Sequence, residues 1–480
     1  MPYEKYETVI GLEIHAQLAT QSKAFCGDDA SFGGAPNTHI SPISLGHPGT
    51  LPRLNKKQVE YAVRLGLALG SKISLFNAFD RKNYFYADLP KGYQVTQDRA
   101  PICIGGTLNI RVGAEEKAVR IHHIHMEEDA GKSIHDSDDP YSLIDLNRAG
   151  VPLLEIVSEP DLRSAEEVDA YMSAMRQLLR YLGISDGNME QGSMRCDCNV
   201  SVRLKGSEKL GERCEIKNLN SMRYARRAIE YEVKRQIALI EAGGRVAQQT
   251  LNFDPATGVT APLRDKEDAH DYRYFPEPDL PPIVLSEAYV EKIQQSLPAL
   301  PWELYQRFQE GYGLPAYDAN LLTQEQSTAL FFIGLCEHTP NFKAASNLII
   351  NKVAPYCNEA GIRIEDFPVS HSQLAAFIQL IDEGKVASAA AYQYIFPVLA
   401  EAPGRLPLEI AQSLNLIQTS DEGLLEKLAD EVLANNPGEV ERYRSGKKGL
   451  MGFFMGEMMK ASKGKADPKL ASALLRKKLG

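Results

Sequence analysis

Glu13 and His15 stand two residues apart in Gly11-Leu12-Glu13-Ile14-His15-Ala16-Gln17-Leu18. In a strand both side chains leave the same face, with Cα atoms about 6.5–7 Å apart, so a carboxylate and an imidazole can share a metal ion or flank a phosphate. The same spacing also suits a plain polar strand face. A second concentration is His122-His123-Ile124-His125-Met126-Glu127-Glu128-Asp129, three histidines and three consecutive acids. Adjacent carboxylates repel unless water or a divalent cation intervenes. Mg2+ takes one or two carboxylates with waters and substrate phosphates, so the run reads either as an acidic turn or as part of a Mg2+–nucleotide site. Lys82 lies in Phe79-Asp80-Arg81-Lys82-Asn83-Tyr84-Phe85-Tyr86. A lysine among aromatics offers a point charge to a phosphate; a surface lysine with inward-packed rings is the plainer alternative. Glu155 and Glu159 border an apolar run as ordinary surface acids would.

Other signatures are excluded. Gly131-Lys132-Ser133 ends like a phosphate loop, but the glycine required five residues earlier is Met126, and no G-x-G-x-x-G occurs, so any ATP is held differently. Cys196, Cys198 and Cys214 invite a zinc reading. Alternation instead sends the first two to the apolar face with Val200 and Val202, where free cysteine acts as a small hydrophobe. No H-E-x-x-H or C-x-x-C is present. An amidase-type Gly/Ser-rich nucleophile signature is also missing.

The elements that must hold these residues follow from periodicity. Leu12, Ile14, Ala16 and Leu18 alternate with Glu13, His15 and Gln17. Cys196, Cys198, Val200 and Val202 alternate with Arg195, Asp197, Asn199, Ser201 and Arg203. Glu215 to Asn220 follows a shorter, less clean pattern. One-sided burial of this kind is the mark of antiparallel sheets, and the acids, histidine, arginines and amides on the open face fit a cavity lining. The proline-rich Pro276-Glu277-Pro278-Asp279-Leu280-Pro281-Pro282 reads as an extended connector. Beyond it helical periodicity dominates, with a further break at Pro403-Gly404-Arg405-Leu406-Pro407.

A chain of 480 residues, 44% hydrophobic and 24% charged, has the profile of a soluble globular protein of about three domains. No stretch approaches the roughly 18 apolar residues of a membrane helix, and Met1 to Glu7 has no signal-peptide pattern. Seven cysteines are sparse and odd in number, which points to reduced thiols and a cytoplasmic location. The formal net charge of −10 hides an uneven distribution: from Glu441 onward eleven Lys/Arg face three acids. Such a basic appendage either meets phosphates or is a solvated helical face.

Several long motifs resemble one family. They are Val9-Ile10-Gly11-Leu12-Glu13-Ile14-His15, the Phe79–Tyr86 stretch, His125-Met126-Glu127-Glu128-Asp129-Ala130-Gly131-Lys132, Asp145-Leu146-Asn147-Arg148 with Glu155-Ile156-Val157-Ser158-Glu159-Pro160-Asp161, Asp271-Tyr272-Arg273-Tyr274-Phe275-Pro276-Glu277-Pro278-Asp279, and Met451-Gly452-Phe453-Phe454-Met455-Gly456 with Gly464-Lys465-Ala466-Asp467-Pro468. In content and order they are similar to the B subunits of aspartyl/glutamyl-tRNA(Asn/Gln) amidotransferases, over essentially the whole chain. The resemblance implies an α+β protein: a cradle-like catalytic domain with an antiparallel sheet (1–294), an all-α helical domain (295–405) and a small all-α, tRNA-contacting tail (406–480). It implies that ATP phosphorylates the side-chain carboxylate of Asp-tRNA(Asn), Glu-tRNA(Gln) or both, and that ammonia from a glutaminase A subunit displaces phosphate. It also implies a small C subunit that completes the complex, with neither membrane nor DNA as a partner.

By position, the family's metal- and ATP-site residues fall on Glu13, His15, Lys82, Glu128, Glu155 and Asp197. Glu13, His15 and Glu128 are then the expected Mg2+ ligands and Lys82 the partner of an ATP phosphate, while Asp197 and Glu155 either orient metal waters or guide ammonia. His15 must be neutral to ligate, so activity is expected to weaken in acid. Lys447, Lys448, Lys460, Lys463 and Lys465 are the candidate contacts to tRNA phosphates. Many relatives carry a four-cysteine zinc knot. Here the corresponding stretches read Cys26-Gly27-Asp28 and Ser41-Pro42-Ile43-Ser44, one thiol of four, and no zinc is expected. The competing readings are a non-catalytic tRNA-binding scaffold and, more remotely, a metallohydrolase.

Overall fold

The computed structural model describes residues 2–113, 115–135, 141–263, 272–418, 422–462 and 466–480. Asp271, Lys463 and Lys465 lie outside them. The chain divides into two compact units, Met1–Pro301 and Trp302–Gly480.

The first unit is built on the strand Tyr6–Gln17, which runs antiparallel between Pro152–Ser158 and Met194–Leu204. Ile10, Leu12, Ile14 and Ala16 are buried on one face, so Glu13, His15 and Gln17 must lie on the other. Glu115–Glu128 extends the sheet beyond Pro152–Ser158. On the far side come Cys214–Leu219, Gln249–Asp254 and Val259–Pro262. Cys214–Leu219 and Gln249–Asp254 pair in parallel, which makes the sheet mixed rather than wholly antiparallel. The helix Met222–Glu241 supplies the long crossover that a parallel pair demands. It packs against the Met194–Leu204 strand and against a second helix, Ala165–Tyr181. Ser221 and Ser164 cap these helices by accepting from Tyr224 N and Glu167 N.

A small three-stranded sheet (Phe275–Pro276, Asp80–Asn83, Tyr93–Thr96) stands beside the large one. The proline-rich stretch is therefore extended, as its composition requires, but it is not a free connector. Phe275 pairs with Arg81, Ile283 pairs with Asn77, and the buried Glu277 accepts two bonds from the Arg81 guanidinium, at 2.8 and 2.9 Å. Proline cannot donate to a ladder, so these pairings stay short and peripheral.

The second unit is helical. Two π-helical turns, Ile349–Val353 and Ala391–Ile395, each lead into a helix with proline near its start, Pro355 and Pro397. The wider turn absorbs the amide donor that proline lacks. Toward its end, Leu425, Ala429, Phe454, Met458, Ala471 and Leu475 share a core of their own. Among the described residues no helix is long and apolar enough to cross a membrane.

Candidate active site

Register brings the site together. On three neighbouring strands His15 lies opposite Glu155, and Glu155 opposite His125. Glu127 follows His125 by two residues and so shares its face. His15 Nε2 is 3.2 Å from Glu155 Oε2 and 3.6 Å from Glu127 Oε1; His125 Nε2 is 3.2 Å from Glu155 Oε2 and 3.7 Å from Glu127 Oε2. One ligand atom each from His15, Glu127 and Glu155 falls within 4.8 Å of the others. Burial would pull both imidazoles down, but Glu155 and Glu127 outweigh it and hold His15 at about 9 and His125 at about 10. Against the cost of its own burial, the two imidazolium neighbours keep the Glu155 carboxyl well below the usual range. From His125 the ring contacts continue outward: His123 Nε2 lies 3.1 Å from His125 Nδ1, and His122 lies 2.7 Å beyond His123.

A second acidic group adjoins the first. Glu13 is in register with Asp197, and with Glu215 of the next strand they form another set of oxygens within 4.8 Å. Asn199 Nδ2 donates to Glu13 Oε1 at 2.9 Å. Lys217 Nζ lies 2.9 Å from Glu215 and 3.6 Å from Asp197. Burial, then Glu155 and the other carboxylates, push the Glu13 carboxyl up. The three acids cluster around Lys217, a set of oxygens of the kind that suits a cation.

Lys82 enters from the small sheet, its Nζ 4.8 Å from the Tyr272 ring centroid and 6.0 Å from that of Tyr84. Burial would lower its pKa, yet the carboxylates of Glu127 and Glu155, with Tyr274, raise it, so the ammonium lies within electrostatic reach of the histidine–carboxylate group. On the other flank, Arg195 is opposite His15 in register and pairs with Asp129 at 2.8 Å; Gln17 Nε2 donates to the second Asp129 oxygen at 2.7 Å.

Of the expected residues, Glu13, His15, Glu155 and Asp197 share this face and Lys82 joins them from the small sheet, whereas Glu128 does not. Alternation sends Glu128 to the opposite side with Met126. There its carboxylate meets Lys91, accepts from Val95 N at 3.0 Å, and lines a separate cavity of about 260 Å3 with Lys23, Arg81, Tyr93 and Glu277. The trio Glu13, His15 and Glu128 is thus no geometric unit, and Glu127 occupies the place expected for Glu128. The signal was available: His123, His125 and Glu127 alternate with Ile124, Met126 and Glu128. His125 shows in the sequence only as a member of the histidine run, and Glu215 and Lys217 only as part of the short alternation from Glu215 to Asn220.

The donor chemistry fits a divalent cation. Glu13, Asp197 and Glu215 offer only hard oxygen donors, as Mg2+ prefers, and Glu127 and Glu155 offer two more beside one imidazole. Between the stretches Cys26–Asp28 and Ser41–Ser44, Ser44 Oγ donates to Asp28 Oδ2 at 2.6 Å and accepts from Ser41 N at 2.9 Å, tying the two together. In the tail, Lys447 is exposed, Lys460 pairs with Glu457 at 3.6 Å, and Lys448 donates to the Gly480 carbonyl and stands 4.3 Å from the Tyr443 ring.

Residues 8–291 match the family model described as the GatB/GatE catalytic domain, and residues 330–479 match the GatB domain. Over the full length of both chains, the sequence is 50% identical to the B subunits of the aspartyl/glutamyl-tRNA(Asn/Gln) amidotransferases of Anaeromyxobacter sp. (strain Fw109-5) and of Myxococcus xanthus (strain DK1622). To the protein of the same name from Persephonella marina (strain DSM 14350 / EX-H1) it is 46% identical, over 99% of this chain and 100% of that one. Matched by two family models and alike to these relatives from end to end, the chain belongs to the family of aspartyl/glutamyl-tRNA(Asn/Gln) amidotransferase B subunits.

Proposed function

We propose that this chain activates the side-chain carboxylate of Asp-tRNA(Asn), Glu-tRNA(Gln) or both with ATP and hosts its amidation. In the first step a carboxylate oxygen attacks the γ-phosphorus and ADP leaves. In the second, ammonia adds to the acyl phosphate, the C–O bond to phosphate breaks, and an ammonia proton leaves with the phosphate. A carboxylate alone is a poor acceptor because its leaving group would be oxide.

The observation that carries this reading is the convergence of His15, Glu127 and Glu155 on one point, with Lys82 within electrostatic reach of its carboxylates. A Mg2+ ion held by Glu127 and Glu155, and by His15 once the imidazole that these carboxylates keep protonated gives up its proton to the ion, would supply charge neutralisation between the substrate carboxylate and the γ-phosphate. Lys82 adds a fixed positive charge where phosphoryl charge develops. His125 orients Glu155, and Asn199 and Lys217 fix the oxygens of Glu13, Asp197 and Glu215. That carboxylate group would suit a second cation, ammonium included. We infer glutaminase A and small C subunits as partners, a cytoplasmic setting, and tRNA contact by residues 406–480.

Supplying ammonium chloride in place of glutamine to the assembled complex tests the reading. Glu155→Ala should lower ATP-dependent amide formation at least about 100-fold while tRNA affinity is kept. Full activity in that variant would leave the chain a tRNA-binding scaffold.

A further inference from the structure

Arg273 takes a φ of 45°, a left-handed conformation that few non-glycine residues adopt. Asn83 holds it there. Its backbone N–H donates to the Tyr272 carbonyl at 2.9 Å, and its side-chain amide donates to the Tyr272 and Arg273 carbonyls at 3.2 and 2.8 Å. Just beyond, Phe275 pairs with Arg81. Strain of this kind persists only where the surroundings over-determine it.

What it positions is a run of tyrosines. The ring centroids of Tyr274 and Tyr272 are 5.9 Å apart, those of Tyr272 and Tyr84 6.2 Å, and those of Tyr84 and Tyr86 5.7 Å, all edge to face. Lys82 stands against the middle of this ladder. Its ends are open, Tyr274 at 39% and Tyr86 at 66% exposure. An accessible tyrosine beside a lysine within electrostatic reach of acidic groups suits a ligand with a flat π-faced body and an anionic end. Every nucleotide base offers such a face.

Resting on the ATP-dependent reading above, we propose that the Tyr272–Tyr274 wall, clamped by Asn83, is a stacking site for an adenine base whose phosphates extend toward Lys82. Adenine reaches the protein in two forms, ATP and the 3′-terminal adenosine of tRNA, and the wall recognises what they share. Asn83 and Arg273 act as positioning residues and Tyr274 as the contact.

The test measures binding to the full-length chain with Mg2+, with ATP and inorganic tripolyphosphate as probes. Tyr274→Leu should weaken ATP by about ten-fold and leave tripolyphosphate unchanged, and Tyr274→Trp should restore ATP. Arg273→Gly should keep the affinity because glycine accepts the backbone angle, whereas Arg273→Val should fall to the Tyr274→Leu level. A parallel arm uses uncharged tRNA, intact or trimmed of its last adenosine. A loss confined to intact tRNA assigns the base to tRNA, and a loss confined to ATP assigns it to the nucleotide. Equal loss for ATP and tripolyphosphate, or no change in either arm, overturns the stacking site while the ATP reading stands. Failure of the wild-type chain to bind ATP or tripolyphosphate brings down both.

Discussion

Glu127 and Glu128 are chemically identical neighbours, yet strand alternation gives them separate surroundings. Glu127 lies with His15, His125 and Glu155; Glu128 is buried against Lys91 and the Val95 amide. Glu127→Gln should weaken Mn2+ binding, followed by electron paramagnetic resonance, by about 10- to 100-fold. Glu128→Gln should leave Mn2+ affinity within about two-fold and instead cost about 1–3 kcal/mol of stability, because Lys91 loses its charged partner. The reverse pattern would return the ligand role to Glu128. Residue types alone select the acidic run, and only the phase of the strand separates its members. That phase is legible in the buried Ile124 and Met126, whereas the pairing of Asp129 with Arg195 is not, since it depends on two strands remote in sequence.

Helices and strands constrain each other through close approaches. In the helix Lys56–Ala68, a Cβ on Gly66 would land on Cys103 Sγ and within 2.8 Å of Ile73 Cδ1. Gly66→Ala gains about 1 kcal/mol of helix propensity. Overpacking costs about 1–3 kcal/mol, so the variant should unfold at lower denaturant concentration, and an unchanged or higher midpoint would show that the strand yields. The helix Met222–Glu241 is tied down by Glu232, which is fully buried and bonded to Arg235, Gln236 and Thr260. Its own burial would raise the carboxyl, but Arg235 and Gln236 prevail and hold it below the ordinary 4.5. The stability this adds is complete above 4.5 and is lost as pH falls through the depressed value. Glu232→Gln should therefore be destabilised near pH 7, with the gap from wild type closing in acid. A gap independent of pH would mean the charge is irrelevant. Period-two alternation announces the strands of the central sheet. The parallel pairing of Cys214–Leu219 with Gln249–Asp254 and the docking of Phe275 on Arg81 are set by distant partners and leave no local pattern.

Across the whole molecule, an acidic body carries a basic C-terminal region in which Lys447, Lys448 and Lys460 are exposed and Lys448 also donates to the Gly480 carbonyl. Lys447→Gln and Lys460→Gln should each reduce the slope of log affinity for tRNA against log salt by about 0.7–0.9. Unchanged slopes would make the tail a solvated face. The composition of this region is plain in the sequence, but which of its charges stay free depends on folding. The central claim is that one carboxylate–histidine centre transfers phosphate to the amino acid on tRNA. It is tested most directly by giving the assembled complex γ-labelled ATP, Mg2+ and misacylated tRNA without a nitrogen source. Hydroxylamine-sensitive label should appear on the aminoacyl-tRNA, and it should vanish without Mg2+ and in Glu127→Gln. Amide formation on added ammonium with no label ever reaching the aminoacyl group, or label that persists in Glu127→Gln, would contradict the mechanism.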